Sequence, residues 1–502
     1  MKRAAIILTA ACLLPFARAG EPPESDLLRF LNGDQLHGRF DGIQDKQSVS
    51  WRRADAANPV EFQSAQLRQI VFHGGKAVRP LHSASHISLA NGDEIPGDVI
   101  SLDDRTAVIA TEFAGRLSIA REHIVALSPA PYGGKLLYHG PFSDDGWDII
   151  RPQGKPAKSE PEAESNPDAS KAEHDPLGDD ASSPAWSFSG AAWYERGKHA
   201  ALARRDIMPD RASLRFHLAW KSRLMLAVAF HADMSRPPPV SGKFGSSFPD
   251  AGGITNYPRV FGNSYVIQIL ANYVMLYRCA LDANGHTSLE RIQANASNVR
   301  MPDNGEANIE LRCDRNTGGI CLFIDDQFAM QWNEPSGPNY AGHGKSFAFQ
   351  VPGEAAPVRI SDILVAEWNG MPDSARSMKS ADADILLLAN GTERFSGEDS
   401  TIHDGTVTLR GKYGTYQIPL AECAELHLAS KHVTPPPEAP KDSVRILFQP
   451  VGRITGTLMP SAAGTVTLAS GLAGTLSISC ESANLLQFQP TEQFLDDWDP
   501  AF

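Results

Sequence analysis

Apolar and polar residues alternate in short runs along most of this chain, and glycine-containing turns separate the runs. Val108-Ile109-Ala110-Thr111 and Leu117-Ser118-Ile119 alternate around Phe113-Ala114-Gly115-Arg116, and Leu214-Arg215-Phe216-His217-Leu218-Ala219-Trp220 repeats the pattern over a longer span. A period of two marks half-buried antiparallel strands joined by tight turns. No long stretch carries the 3.6-residue period of an amphipathic helix, so the expected fold class is all-β.

One phrase recurs four times. It reads Leu31-Asn32-Gly33-Asp34-Gln35-Leu36-His37-Gly38, then Ala90-Asn91-Gly92-Asp93-Glu94-Ile95-Pro96-Gly97, then Ala389-Asn390-Gly391-Thr392-Glu393-Arg394-Phe395-Ser396-Gly397, and in a worn copy Phe448-Gln449-Pro450-Val451-Gly452-Arg453-Ile454-Thr455-Gly456. Asn-Gly-Asp tolerates the positive φ of a hairpin turn. The glycine that follows inside each strand pattern permits a sharp bend. Small β units are therefore expected at 26–72, 85–128, 383–430 and 442–489. Each resembles a five-stranded SH3-like or Sm-like barrel, too small to be stable alone, so the units are expected to pack in pairs. A Pro-rich linker, 431–441, separates the last two.

Between the pairs lies a segment, 136–370, with strand patterns throughout. Residues 152–184 interrupt it with Pro, Glu, Asp, Ser and Lys and almost no large apolar side chain, a composition expected to be disordered. Tyr265-Val266-Ile267-Gln268-Ile269-Leu270 turns into Tyr273-Val274-Met275-Leu276-Tyr277-Arg278, and Ile309-Glu310-Leu311-Arg312-Cys313-Asp314 turns into Ile320-Cys321-Leu322-Phe323-Ile324-Asp325. These hairpins, closed by Val358–Trp368, resemble concanavalin-A-like, laminin-G-type sandwiches. The resemblance implies a central jelly-roll sandwich flanked by two pairs of small barrels, a layout similar to secreted bacterial proteins of unknown function. That superfamily holds lectins and glycosidases, so fold alone does not decide activity.

Charge and cysteine content narrow the picture. Lys2 and Arg3, the apolar run Ala4–Leu14 and Ala17-Arg18-Ala19 form a signal-peptide pattern over 1–19, which predicts export. No later stretch approaches the ~20 apolar residues of a transmembrane helix. The net charge is −13, and loss of the three basic residues of the signal makes it more negative, which argues against nucleic acid as partner. Beyond the signal, Cys279, Cys313, Cys321, Cys423 and Cys480 remain. Cys313 and Cys321 flank a turn sequence and are candidates for a disulfide across a hairpin. No Cys or His spacing fits a metal, and no cofactor is expected.

The catalytic alternative, a glycoside hydrolase or lyase, needs two convergent carboxylates, yet no strand carries the alternate acids of the β-glucanase pattern. Glu310 stands alone in its strand, and Asp325 lies at a turn with Asp326. The binding candidates are loops. Residues 234–263 include Tyr257, and Trp332-Asn333-Glu334-Pro335-Ser336-Gly337-Pro338-Asn339-Tyr340 joins aromatic to amide groups. Aromatic faces stack on sugar rings while amides hydrogen-bond hydroxyls, so Tyr257, Trp332, Asn333, Asn339 and Tyr340 are the expected ligand-binding residues. The expectation is a secreted, non-catalytic binding or scaffold protein of the cell envelope that takes a glycan or an envelope protein. Self-assembly through exposed strand edges is a further alternative.

Overall fold

A computed structural model describes residues 25–32, 34–45, 47–131, 136–150, 185–189, 191–195, 200–221, 223–235, 257–292, 299–302, 305–325, 327–352, 357–368, 370, 378–389 and 393–488. The signal segment 1–19, the stretch 152–184 and Asp326 lie outside them. The described chain is nearly all β and its sheets are antiparallel.

The four repeats form four units of one design. In unit 1 the strand Asp26–Phe30 pairs with both Gln35–Asp45 and the last strand, Leu67–Val71. Asp384–Leu388 in unit 3 and Ser443–Phe448 in unit 4 pair with their own second and last strands in the same way. In unit 2 the second strand is broken at Gly97 into Glu94–Pro96 and Asp98–Leu102. A single 3-10 turn precedes the last strand of every unit.

The recurrent glycine has a steric cause. A Cβ on Gly38 would stand 2.6 Å from the Arg52 carbonyl oxygen, on Gly97 2.5 Å from that of Ala110, on Gly397 2.6 Å from that of Arg410, and on Gly456 2.7 Å from that of Ala469. Each is the backbone of the next strand, which cannot swing aside like a side-chain tip. Only glycine lets the second strand curl this closely over the third.

Units 1 and 3 share a second device. The buried Asp26 carboxylate accepts from the backbone N–H of Phe40 (2.9 Å) and of His73 (3.0 Å). At the matching place Asp384 accepts from Ser400 N (3.1 Å) and Ala429 N (2.8 Å) and pairs with Arg121 of unit 2 at 3.3 Å. Opposite the same recurrent glycine unit 2 carries Ser85 and unit 4 Val444.

The units join edge to edge in an order the repeats alone do not reveal. Unit 4 pairs with unit 1, Leu485 opposite Val71 and Leu486 opposite Ile70. Unit 3 pairs with unit 2, His427 opposite Ala126 and Leu426 opposite Leu127. One aliphatic core runs through all four, and Phe113 of unit 2 stacks on Phe448 of unit 4 at 5.1 Å. Units this small bury too little on their own, and the shared core supplies the rest. The four together are a platform.

The sandwich is inserted between units 2 and 3. An eight-stranded sheet faces a seven-stranded one. The alternation along Arg211–Trp220 turns Leu214, Phe216, Leu218 and Trp220 into the core and leaves Ser213, Arg215 and His217 on the outer face. From the other sheet Leu226, Val228, Phe230, Ile267, Phe347 and Phe349 meet them. Cys313 lies opposite Ile320, and Cys321 opposite Arg312. With a period of two, that one-residue offset puts the two cysteines on opposite faces of the sheet. Both are free thiols, as are Cys279, Cys423 and Cys480, so the disulfide suggested by the turn sequence is not formed.

Candidate functional site

The loops singled out by sequence fold inward. Tyr257 opens a short helix, Tyr257–Phe261, on the outer face of the seven-stranded sheet. It is 0% exposed and packs 6.0 Å from the Tyr277 ring. Trp332 shares its strand face with Met330 and is 2% exposed in the sandwich core. Tyr340 is 1% exposed and hydrogen-bonds His231 Nδ1 at 3.0 Å. His231 donates from Nε2 to the Pro209 carbonyl at 2.9 Å, and burial pushes its pKa down to about 4. The ring is therefore neutral, and Nδ1 accepts the Tyr340 hydroxyl proton. Beside them Glu334 accepts from the Tyr265 hydroxyl at 2.9 Å and from Arg278 Nε at 3.0 Å. A sugar ring cannot stack on side chains sealed in this way; the segment pins one end of the sandwich. Asn333 and Asn339 do stay at the surface. Asp325, at a hairpin tip, accepts from Asn308 N at 2.9 Å, a contact to the neighbouring strand.

The concave polar surface lies elsewhere. A cleft of about 640 Å³ separates the outer face of the eight-stranded sheet from units 2, 3 and 4. Its sandwich wall follows from strand register. Arg215 stands opposite Glu310 and Ser213 opposite Arg312, which gathers charges from neighbouring strands into one outward patch. Glu310 accepts from Arg312 Nε at 2.7 Å and from Ser213 Oγ at 2.9 Å. The Arg312 guanidinium lies 4.4 Å from the centre of the Phe323 ring, a cation–π contact that fixes it flat. Farther along, Arg211 reaches Glu367 at 3.4 Å.

The platform wall carries Glu425 and His427 on the strand Cys423–His427 of unit 3, with His86 of unit 2. His427 Nε2 donates to Glu425 at 2.9 Å. Arg453 of unit 4 reaches Glu94 at 2.9 Å and the Gly92 carbonyl at 2.9 Å, and stands 3.6 Å from Asp362 of the sandwich.

The electrostatics of this cleft point one way. Burial alone would raise the pKa of Glu310, but the Arg312 and Arg215 cations and the Ser213 hydroxyl outweigh it and hold the pKa below the usual carboxylate range. Burial likewise opposes ionisation of Glu425, yet the His427 hydrogen bond and the Arg215 and His86 charges bring it to about 2. Asp362 is lowered against burial by His139 and Arg453. Arg215 thus acts on a carboxylate of each wall. Asp93 alone among these acids is raised, by burial, and it is fully enclosed, accepting Thr455 N at 3.0 Å.

Of the acids considered from sequence, Glu310 is in the cleft and Asp325 is not among its lining residues. Arg215, Arg312 and Glu425 were missed. The alternation that turns Arg215 outward from Phe216 and Leu218 was visible, but which residues face it was not. Among the described residues no group of His, Cys, Asp and Glu could hold a metal ion. None of their helices is long and apolar enough to cross a membrane.

No protein-family model matches this chain, and no curated protein matches it. Solved structures similar to it include a carbohydrate-binding module, CBM66, from Bacillus subtilis, at 12% identity over 36% of this chain and 91% of that one, with a TM-score of 0.22. A protein of unknown function with a galectin-like fold, also from Bacillus subtilis, matches at 12% identity over 47% and 96%, with a TM-score of 0.27. The carbohydrate recognition domain of Emp47p matches at 9% identity over 47% and 97%, with a TM-score of 0.28. Each match covers most of its own chain and less than half of this one.

Proposed function

We propose that this is an exported, non-catalytic binding protein whose cleft between sandwich and platform takes a neutral, polyhydroxylated ligand, a segment of glycan. The four units, read as SH3-like repeats, form the scaffold, and the sandwich carries the ligand. The observation that carries this reading is the balance of charge in the cleft. Arginines and carboxylates line both walls in close pairs, so neither an anion nor a cation finds a field of one sign. Such pairs offer what sugar hydroxyls need, fixed donors from guanidinium and fixed acceptors from carboxylate. The depressed pKa values favour binding over hydrolysis, because a glycosidase general acid must stay protonated, whereas Glu310, Asp362 and Glu425 are held ionised.

The test is a glycan array with the mature chain, 20–502, followed by calorimetry on the best ligand. Arg215→Ala and Glu310→Gln are each expected to weaken binding about ten- to a hundred-fold, the loss of one hydrogen bond to a charged group. Binding to no glycan, or binding indifferent to both substitutions, would overturn the assignment.

A further inference from the structure

One histidine bridges the joint between sandwich and platform. His139, on the strand Leu136–Gly140, directs Nδ1 to the Pro450 carbonyl oxygen of unit 4 and Nε2 to Asp362 Oδ1 at 2.8 Å. A carbonyl oxygen and a carboxylate only accept, so each contact requires an N–H. A ring that donates from both nitrogens is an imidazolium.

Asp362 is aimed at this ring by a defect in its strand. The pairing of Val358–Glu367 with Arg211–Trp220 slips between Arg215 and His217, and Asp362 adopts φ +48°. Val358 and Ile360 face the core before the slip, and Ile363 and Val365 after it. The extra residue swings the carboxylate towards the platform, where Arg453 lies 3.6 Å away. A left-handed aspartate in a strand bulge costs about 1 kcal/mol or more, and such strain concentrates where a side chain must be re-aimed.

Further groups surround the ring. Glu94 of unit 2 is held by Arg453, the Phe142 ring lies edge-on at 5.3 Å, and His217 approaches from the neighbouring strand. Burial and the Arg359 cation push the His217 pKa down to about 4, so above that pH it adds no charge to the joint.

We propose that the His139 imidazolium is a proton-operated latch between sandwich and platform, and that loss of its proton lets the cleft open. A neutral imidazole keeps one N–H. The carboxylate, as the stronger acceptor, retains it. Nδ1 then turns a lone pair towards the lone pairs of the Pro450 carbonyl, and the bond across the joint becomes a repulsion. Burial disfavours the charged ring, but the hydrogen bond and charge of Asp362, with the Pro450 carbonyl, outweigh it and hold the pKa above 6.5. The latch is therefore closed in mildly acidic solution and released as pH rises through the raised pKa of the ring. As regulation of ligand entry this rests on the cleft being a binding site; as a movement of the two bodies it does not.

Small-angle scattering of the ligand-free mature chain, from about pH 5.5 to about pH 9, tests it. The radius of gyration of the wild type is expected to rise with a midpoint above 6.5. His139→Arg, a permanent cation with several donors, is expected to stay compact throughout, and His139→Ala to be extended at every pH. Circular dichroism at each pH checks the fold. If His139→Ala fails to fold, the comparison of wild type with His139→Arg still decides. A flat wild-type curve would overturn the latch. So would a His139→Arg curve that follows the wild type, which would assign the movement to His86 or His427. No ligand is present, so this outcome and the glycan result stand or fall separately.

Discussion

The platform and the sandwich are both antiparallel β, yet they solve the problem of a core in opposite ways. The platform is aliphatic and divided: Leu28, Ile87, Leu386 and Ile446 come from four units and contribute to one shared core. The sandwich is aromatic and self-contained: Trp186, Trp220, Phe216, Phe230, Phe347 and Phe349 fill the space between its own two sheets. Neither body needs the other to bury its apolar surface. Their meeting surface is thus free to be polar, and it carries Arg215, Glu310, Asp362, Glu425 and Arg453. A buried charged surface of this kind is weak as glue, which suits a ligand cleft and a movable joint.

The comparison breaks first under core truncation. Leu486, at the junction of units 4 and 1, is 0% exposed, and Leu486→Ala is expected to cost about 2–5 kcal/mol. Because the core is shared, the loss should lower the melting of all four units together. Phe349→Ala in the sandwich, also 0% exposed, is expected to cost about 3–5 kcal/mol and to act on the sandwich alone. Hydrogen exchange read peptide by peptide separates the two. Loss of protection confined to unit 4 after Leu486→Ala would show that the platform is not one cooperative body.

Acid sharpens the contrast by a smaller amount. His231 in the sandwich has a folded pKa of about 4 against an ordinary 6.5, and His217 the same. Between those values the unfolded chain holds protons that the folded one lacks, so stability falls as pH drops from 6.5 towards 4. Glu425 of the platform acts in the same sense but over a lower range of pH. Its folded pKa of about 2 lies below 4.5, so its contribution is complete above 4.5 and is lost only as pH falls towards 2. The sandwich is expected to loosen first on acidification. Tryptophan fluorescence follows mainly the sandwich, since Trp147, Trp186, Trp193, Trp220, Trp332 and Trp368 belong to it, against Trp51 alone among the described residues of the platform. A fluorescence transition that stays fixed between pH 6.5 and 4 would contradict the neutral histidines.

What could be read in advance was whatever repeats at short range. The four glycines were legible because each obeys the same local constraint, a carbonyl of the next strand within 2.7 Å of the absent Cβ. The inward face of Arg211–Trp220 was legible from alternation alone. The cleft was not, because its parts meet through register and docking: Arg215 finds Glu310 across a strand pair, and Glu425 arrives on another body. The aromatic loops misled for a related reason. Trp332 shares the parity of Met330, which marks an inward face, and Tyr340 carries a hydroxyl that His231 satisfies inside the core. An aromatic beside amides in a loop looks like a sugar platform until its partner is seen.

The smallest expected effect therefore bears on where the ligand sits. Asn333 and Asn339 are the two sequence-nominated residues that remain exposed, and neither lines the cleft. Asn333 Oδ1 accepts only a long bond, 3.3 Å from Gln331 Nε2, on an exposed strand end. Substitution of either by alanine removes no buried partner and opens no cavity, so stability should change by less than about 0.5 kcal/mol. If the ligand occupies the cleft, its affinity for Asn333→Ala and Asn339→Ala should equal that of the wild type within error of calorimetry, while Arg215→Ala loses it. A loss on either asparagine with Arg215→Ala unaffected would move the site to the tip of the sandwich and leave the cleft as a joint alone.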